Sequence, residues 1–148
     1  MAKFDPYLIF PGTCEEAFNL YRSVFGGTFD TLSRFGEMPP REGVTLSKEQ
    51  QNMVMHVALH LGGDTLLLGS DSGGELSPPV EPGNNFSVSV NAASKEEADR
   101  YFQGLSQGGR VTQAMELTFW GSYFGMCTDR FGISWMISHS VPPESGNI

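Results

Sequence analysis

The 148-residue sequence has little positive charge, only two cysteines and no long apolar run. Nine Lys and Arg residues stand against seventeen Asp and Glu, which gives a formal net charge of -8. A chain with scattered basic residues lacks the electrostatic footprint of a nucleic-acid or anionic-membrane partner, and we expect neither. No segment approaches the roughly 20 apolar residues of a membrane span, and no signal-peptide pattern is present. We therefore expect a cytoplasmic protein that needs no disulfide.

What the sequence does contain is a repeat. Residues 13–17 and 94–98 share the pattern hydroxyl-Xaa-Glu-Glu-Ala, and each segment continues through helically spaced apolar residues to a Gly-Gly pair. Thr13 and Ser94 are predicted to cap these helices, with Glu16 and Glu97 at the return positions of capping boxes. A repeat of this length indicates two stacked copies of one supersecondary unit, with the ligand site between copies.

Each copy is predicted to contain one strand, one helix and three further strands. The predicted strands cover residues 7–10, 29–35, 53–61 and 64–69, then 86–90, 111–118, 123–128 and 133–139. The predicted fold class is α+β, with tandem βαβββ modules. We expect a single domain over 6–140, made of module 1 (6–72) and module 2 (84–140). A Pro- and Gly-rich linker joins the modules, and a polar tail follows at 141–148.

Several short motifs in a fixed order resemble the vicinal oxygen chelate superfamily, and within it the PhnB-like branch. The motifs are Pro6-Tyr7-Leu8-Ile9-Phe10, Phe35-Gly36-Glu37-Met38-Pro39, Met55-His56, Thr118-Phe119-Trp120-Gly121 and Asp129-Arg130-Phe131-Gly132. The superfamily includes glyoxalase I, bleomycin-resistance proteins and extradiol dioxygenases. The resemblance implies curved mixed sheets around a cavity and a homodimer. The branch often carries a methyltransferase label. The sequence lacks the glycine-rich strand-to-helix turn that nucleotide-binding folds use, so we do not expect a methyltransferase.

The resemblance also locates a metal site in the superfamily's metal-dependent members. Each copy there supplies a His from its first strand and a carboxylate from its last strand. The corresponding positions here are Pro6, Ser87, Leu67 and Met136, none of which is a strong metal ligand. We expect no metal cofactor at these positions, and a divalent ion held by other residues stays open.

Strand periodicity predicts which residues line a ligand pocket on the concave face. They are Leu8, Phe10, His56, His60, Leu67, Ser87, Ser89, Trp120, Tyr123 and Met136. This mixture of apolar and polar side chains suits a small, partly apolar organic ligand. Trp120 forms either a wall of this pocket or the cover of a sheet edge or subunit contact.

Two residues are candidates for catalysis. His56 can act as a general base or orient a ligand, because an imidazole exchanges protons near neutral pH. The alternative for His56 is a structural histidine that is satisfied by its neighbours. Glu37 lies in a long loop that could close over a pocket, and the alternative is a solvated loop acid. Cys127 is predicted to be a small core residue.

Three functions remain open from the sequence. The first is a metal-free protein that binds a small organic molecule, as bleomycin-resistance proteins do. The second is a lyase or isomerase of the superfamily that uses His56, Glu37 or a metal site outside the usual pattern. The methyltransferase is a remote third, since only the label supports it.

Overall fold

The computed structural model describes residues 2–39, 42–72 and 77–140, which form two βαβββ units. The first unit contains β1 (Tyr7–Phe10), α1 (Cys14–Phe25), β2 (Thr28–Arg34), a 3-10 turn (Phe35–Glu37), α2 (Lys48–Asn52), β3 (Val54–Gly62) and β4 (Thr65–Asp71). The second contains β5 (Val88–Asn91), α3 (Lys95–Ser106), β6 (Arg110–Leu117), β7 (Ser122–Thr128) and β8 (Ser134–Ser140). None of the helices in the described part of the chain has the length and hydrophobicity of a membrane-spanning helix.

Each unit is built on one four-stranded mixed sheet. The strand orders are β1-β4-β3-β2 and β5-β8-β7-β6, so the first strand of each unit lies beside its last strand. Those two pairs are parallel and the other pairs are antiparallel. The chain divides into compact units Met1–Glu81 and Pro82–Ile148, and this division falls within the predicted linker. Residues 73–76 of that linker and the predicted tail at 141–148 lie outside the described residues.

Helix α1 covers one face of the first sheet. Phe10 of β1 meets Phe18 and Tyr21 of the helix, with ring centroids 6.1 and 6.5 Å apart, and all three side chains are fully buried. Gly69 of β4 lies directly beneath Phe18, since an added Cβ would stand 2.5 Å from that ring. Aromatic edge contacts and a glycine therefore set the close approach of helix and sheet.

The start of α1 differs from the prediction. The Thr13 side chain makes no capping hydrogen bond. Instead, the buried carboxylate of Asp71 accepts the backbone N–H groups of Gly12 and Cys14 through Oδ1, at 3.0 and 2.9 Å. An anion at the N-terminus of a helix is favoured by the unpaired N–H groups and the helix dipole. The cap is thus supplied by β4 and not by the local sequence.

The start of α3 follows the prediction more closely. The Ser94 hydroxyl accepts the backbone N–H of Glu97 at 3.0 Å, as a capping serine does. The Glu97 carboxylate reaches back to the backbone N–H of Ala93, one residue before the cap, also at 3.0 Å. This backbone hydrogen bond lowers the pKa of Glu97. The Ser94 cap is confirmed, and the return bond is displaced by one residue.

Candidate functional site

The first sheet has a face covered by α1 and an opposite face, which we call the open face of the first sheet. Val57 and Leu59 of β3 are fully buried and pair with Gly69 and Leu67 of β4, on the helix side. His56 and His60 alternate with them and are half-buried, so they lie on the open face. The predicted face is therefore confirmed for both histidines.

Three predicted pocket residues lie on the helix side instead. Phe10 contacts the rings of α1, and Leu8 pairs with Gly69, which faces Phe18. Leu67 pairs with Leu59 and is also buried. Placing Leu8, Phe10 and Leu67 in the pocket was wrong, because a one-residue shift in a strand moves every side chain to the other face. The open-face positions of β1 are Tyr7 and Ile9, which are 45% and 49% exposed.

The second sheet places Met136 and Ser89 side by side on the face opposite α3. The two residues are cross-strand partners, and Met136 alternates with Trp135 and Ile137 of β8, which are fully buried. Ser87 lies immediately before β5 and is half-buried. The predicted face of Met136 and Ser89 is confirmed.

Tyr123 lies on the helix side of the second sheet. It lies two residues before Gly125 of β7 and therefore on the same face, where an added Gly125 Cβ would meet Phe102 of α3 at 3.0 Å. The Tyr123 hydroxyl donates a hydrogen bond to the Asp99 carboxylate of α3, and Lys95 Nζ lies 4.8 Å from the ring centroid. The hydrogen bond to Asp99 raises the pKa of Tyr123 to about 12. Placing Tyr123 in the pocket was therefore wrong.

The two cysteines are buried on their units' helix sides. Cys127 pairs with the buried Trp135, and desolvation raises the pKa of its thiol to about 11. Burial and, secondarily, the Asp71 carboxylate raise the pKa of the Cys14 thiol. Neither thiol is suited to act as a nucleophile, which requires the thiolate. Cys127 is the core residue that the sequence predicted.

Different hairpin loops explain why Leu67 and Tyr123 were misplaced. In the first unit Gly62 pairs with Thr65, so only Gly63 and Asp64 connect β3 to β4. In the second unit Thr128 pairs with Ser134, and the longer loop 129–133 connects β7 to β8. The Asp129 carboxylate organises that loop by accepting the N–H groups of Phe131 and Ile133 and the indole N–H of Trp135. Aligning the hairpins on their glycines consequently matched opposite faces.

The most distinctive polar contact on the open face of the first sheet joins Tyr7 and His56. The Tyr7 hydroxyl lies 3.5 Å from His56 Nδ1, and the two rings stack with centroids 5.9 Å apart and planes inclined by 28°. The sequence did not identify Tyr7 as a site residue, because residues 7–10 are all apolar or aromatic and show no alternation. The only available signal was that a tyrosine in an otherwise aliphatic and phenylalanine strand brings a hydroxyl.

His60 has a structural partner of its own. Its Nε2 atom lies 3.1 Å from the carbonyl oxygen of Gly63, in the turn between β3 and β4. His60 therefore stabilises the β3–β4 turn, a role that His56 does not share. Positions four residues apart on a strand are about 13 Å apart, so His56 and His60 cannot contact the same ligand atom.

Glu37 is held by its own loop. Its Oε2 atom accepts the backbone N–H of Arg34 at 2.6 Å, across the 3-10 turn. The Arg34 guanidinium makes a two-point ion pair with Glu15 of α1, at 3.0 and 2.8 Å, and this bond lowers the pKa of Glu15. Beside the turn lies a cleft of about 340 Å³. Its lining is Phe35, Gly36, Met38, Pro39, Val44, Thr45, Leu46 and Gln51, without the Glu37 side chain.

Trp120 lies at the tip of the β6–β7 hairpin. Thr118 closes the turn by exchanging hydrogen bonds with Ser122, and Gly121 adopts a positive φ of 88°. The turn leaves Phe119 97% and Trp120 61% exposed, with their rings in edge contact. Trp120 also meets Phe124, which pairs with Ser138 on the face opposite α3. The hairpin tip thus extends that face with aromatic surface.

The residues present do not fit the metal site that the superfamily implies. Among residues 2–39, 42–72 and 77–140, no three His, Cys, Asp or Glu side chains are grouped as metal ligands. With the faces corrected, the open positions of β4 are Leu66, Leu68 and Ser70, and those of β8 include Met136 and Ser138. Neither set contains a carboxylate or an imidazole.

Comparison with known proteins places this architecture in a family. A protein from Pseudomonas aeruginosa, PA1353, is 37% identical and superposes with a TM-score of 0.82 over 96% of this chain and 100% of its own. A Bacillus cereus PhnB protein, described as a putative 3-demethylubiquinone-9 3-methyltransferase, is 26% identical with a TM-score of 0.70, over 95% and 100% of the two chains. A glyoxalase/bleomycin resistance protein/dioxygenase family enzyme from Burkholderia phytofirmans shares the fold, at 13% identity and a TM-score of 0.59, over 91% and 95%.

The family model described as 3-demethylubiquinone-9 3-methyltransferase matches residues 2–138. That match spans nearly all of the described chain, and the solved relatives named above share its fold. The expected PhnB-like branch is confirmed by this match, and the expected α+β fold class is confirmed by the shared fold of glyoxalase/bleomycin resistance/dioxygenase family proteins. The chain therefore belongs to the PhnB-like family within the glyoxalase/bleomycin resistance/dioxygenase fold.

Proposed function

We propose that this protein binds a small, partly apolar organic molecule at the open face of its first sheet, without a resident metal. The Tyr7–His56 contact carries the proposal, since it puts a hydroxyl and an imidazole side by side next to apolar side chains. Ile9 neighbours Tyr7 on β1, and Leu68 is the β4 partner of Tyr7. A few placed polar groups within apolar surface are the usual composition of a small-molecule site.

The surrounding strands supply further hydroxyl groups on the same face. Ser70 is the cross-strand partner of Ile9, and Ser33 is the cross-strand partner of His56. Directly paired residues point to the same side of a sheet, so both hydroxyls stand near the imidazole. These groups support recognition of a polar substituent on an apolar body.

Metal chemistry forms no part of this proposal, because the residues at the superfamily's ligand positions are not strong metal ligands. The positions that correspond to the superfamily's ligands hold proline, serine, leucine and methionine, and a divalent ion needs several converging N, O or S donors. Metal analysis of untagged protein checks this point, and a stoichiometric divalent ion would overturn it.

A lyase or isomerase activity is the second candidate, and one observation favours it. The Tyr7 hydroxyl within 3.5 Å of His56 Nδ1 gives an acid and a base on one surface. Glu37 is a poorer candidate for the base, because its carboxylate accepts a backbone N–H and is exposed. The family's methyltransferase description is not part of the proposal, because each sheet is largely antiparallel and differs from a doubly wound nucleotide fold.

A ligand screen with matched variants tests the proposed site. Thermal shifts are measured with antibiotics, hydroxyketones, thiol adducts and quinones. A ligand at 100 times its Kd stabilises the folded protein by about 2.7 kcal/mol, which a thermal shift detects. His56→Ala is expected to weaken the best ligand by about tenfold or more, which corresponds to about 1.4 kcal/mol. Asp64→Ala, in the exposed β3–β4 turn, is the control. A ligand that binds wild type and His56→Ala equally would contradict the proposed site.

A catalytic role is separated from binding by product analysis. The best ligand is incubated with protein, and its products are followed by NMR or mass spectrometry. Turnover that is lost in His56→Ala while binding persists would favour the second candidate. An unchanged ligand supports binding alone.

A further inference from the structure

We infer that Tyr7 holds the proton of neutral His56 on Nε2, so that the open face of the first sheet recognises an uncharged ligand through an oxygen acceptor. The inference rests on the proposed function, because it names the class of ligand for the same site. Tyr7 is a positioning residue in this scheme, and the Nε2–H group of His56 is the donor that touches the ligand.

The roles of the two groups follow from their hydrogen-bonding chemistry. A phenol is a good donor and a weak acceptor, because its oxygen lone pair is delocalised into the ring, whereas the unprotonated nitrogen of imidazole is a good acceptor. At the 3.5 Å contact the Tyr7 O–H therefore donates to Nδ1. Neutral imidazole carries one proton, and the hydrogen bond to one nitrogen places it on the other. The Nε2 atom then presents an N–H group, and no residue that the structure describes pairs with it.

The other two histidines provide internal references for this assignment. His60 Nε2 faces the carbonyl oxygen of Gly63, and His139 Nδ1 faces the carbonyl oxygen of Ala92, at 3.1 and 3.0 Å. A carbonyl oxygen only accepts, so neutral His60 must carry its proton on Nε2 and neutral His139 on Nδ1. Both possible tautomers are thus represented in one protein.

The charges on the strands of the first sheet disfavour an anion as the ligand of this face. Its four strands contain three residues of fixed charge, Asp30, Arg34 and Asp71. Arg34 is committed to its two-point pair with Glu15, and Asp71 is committed to backbone N–H groups. A carboxylate or phosphate bound beside His56 would lose water without meeting an uncommitted cation on these strands, which is costly. The net charge of -8 adds long-range repulsion.

A neutral carbonyl compound offers an oxygen acceptor for the Nε2–H group and carries no charge, as this face requires. Its oxygen accepts the Nε2–H of His56, while its apolar body packs on Ile9, Leu68 and the Tyr7 ring. The ligand class is therefore an aldehyde, ketone, lactone or amide with an aliphatic or aromatic body.

Long-range proton–nitrogen NMR of the imidazoles tests the proton position without any ligand. At a pH where all three histidines are neutral, His56 is expected to match His60 and differ from His139. In Tyr7→Phe the His56 Nδ1 resonance is expected to move, because an accepted hydrogen bond is lost, while Tyr123→Phe leaves it in place. A proton on His56 Nδ1, or an unmoved Nδ1 resonance in Tyr7→Phe, would overturn the inference.

Three aromatic probes of one size test the ligand class. Acetophenone, benzoate and benzylamine are titrated separately to about 10 mM, a range that detects millimolar binding. Acetophenone is expected to shift the resonances of Tyr7, Ile9 and His56 in the wild-type protein. Benzoate and benzylamine are expected to bind wild type at least about tenfold more weakly, and acetophenone is expected to bind His56→Ala at least about tenfold more weakly. An equal or stronger response to benzoate overturns the ligand class. No response to any of the three probes overturns the carbonyl class. The proposed function fails separately, if the ligand screen described above also finds no ligand whose binding depends on His56.

Discussion

Asp71 Oδ2 accepts the backbone N–H of Val54 at 2.9 Å, although Asp71 ends one strand and Val54 begins another. The second oxygen of the same carboxylate accepts the N–H groups of Gly12 and Cys14 at the start of α1. One buried side chain thus ties β3, β4 and the helix together. Three backbone donors would lack a partner without it.

Replacing this carboxylate is expected to destabilise the first unit. In Asp71→Asn one acceptor oxygen becomes an NH₂ donor facing backbone N–H groups, so at least one hydrogen bond is lost in a buried site. We expect a loss of roughly 2–4 kcal/mol in the free energy of unfolding, measured by urea denaturation. Asp64→Asn, in an exposed turn, is the matched control and should change stability by less than about 0.5 kcal/mol. Equal stability of the two variants would contradict the role given to Asp71.

Gly69 is expected to tolerate no side chain. An added Cβ would lie 2.5 Å from the Phe18 ring and 2.9 Å from the Leu8 carbonyl oxygen, so helix and sheet must separate. Gly69→Ala should cost about 1–3 kcal/mol, as overpacking in a core does. Gly83→Ala is the control, since its Cβ would meet only the Asn85 side chain, at 3.7 Å. A thermal-melting comparison in which both variants behave alike would show that this packing is looser than described.

The Glu15–Arg34 pair is expected to stabilise the fold only above acidic pH. The hydrogen bond from Arg34 lowers the pKa of Glu15, so the folded state favours the carboxylate. The contribution is therefore present above the unfolded pKa of about 4.3 and is lost as pH falls through the lower folded value. The side chains are 34% and 48% exposed, which limits the contribution to about 0.5 kcal/mol.

Glu15→Gln should then be less stable than wild type at neutral pH and equally stable well below pH 4. Denaturant titrations at several pH values measure this difference. Glu16→Gln, at the next position on the exposed side of the helix, is the control. A stability difference that persists at low pH would mean that packing, and not the ion pair, explains the effect of the substitution.

Tyr123 is expected to contribute stability that disappears at high pH. Its pKa is raised to about 12 by the hydrogen bond to Asp99, so folding favours the neutral phenol. The contribution is complete below the unfolded pKa of about 10 and is lost as pH rises through the folded value. Tyr123→Phe should reduce stability at about pH 8 by roughly 1 kcal/mol, the usual contribution of one hydrogen bond.

The tyrosinate absorbance of the folded protein provides a direct check. Tyr123→Phe should remove a component that titrates near pH 12, while Tyr7→Phe leaves that component in place. An unchanged alkaline titration curve in Tyr123→Phe would contradict the hydrogen bond to Asp99.

Local signals predicted the elements well. The Ser94 cap was correct because its hydrogen bond closes within one helical turn, and the described strands begin and end within two residues of their predicted bounds. Thr13 has the same local pattern, yet its helix is capped by Asp71, which lies 57 residues from Cys14 in sequence. Such a distant partner leaves no periodic signal near the helix.

The candidate site was harder to predict than the fold. His56 lies in an alternating strand, and the face it occupies could therefore be assigned from the sequence. Tyr7 lies in a strand that is apolar at every position, and only its pairing with Leu68 fixes which side its ring takes. Leu67 was misplaced because hairpin loop lengths differ between the units, and loop conformation is not encoded in the hydrophobic pattern.

The positions of Trp120 and Trp135 have a consequence for how folding of this protein can be observed. Both tryptophans belong to the second βαβββ unit, and the sequence contains no others. Intrinsic fluorescence therefore reports on that half of the chain, while far-ultraviolet circular dichroism reports on both halves. Coincident transitions would show that the two units unfold together in one cooperative step, and separated transitions would show that each unit unfolds independently.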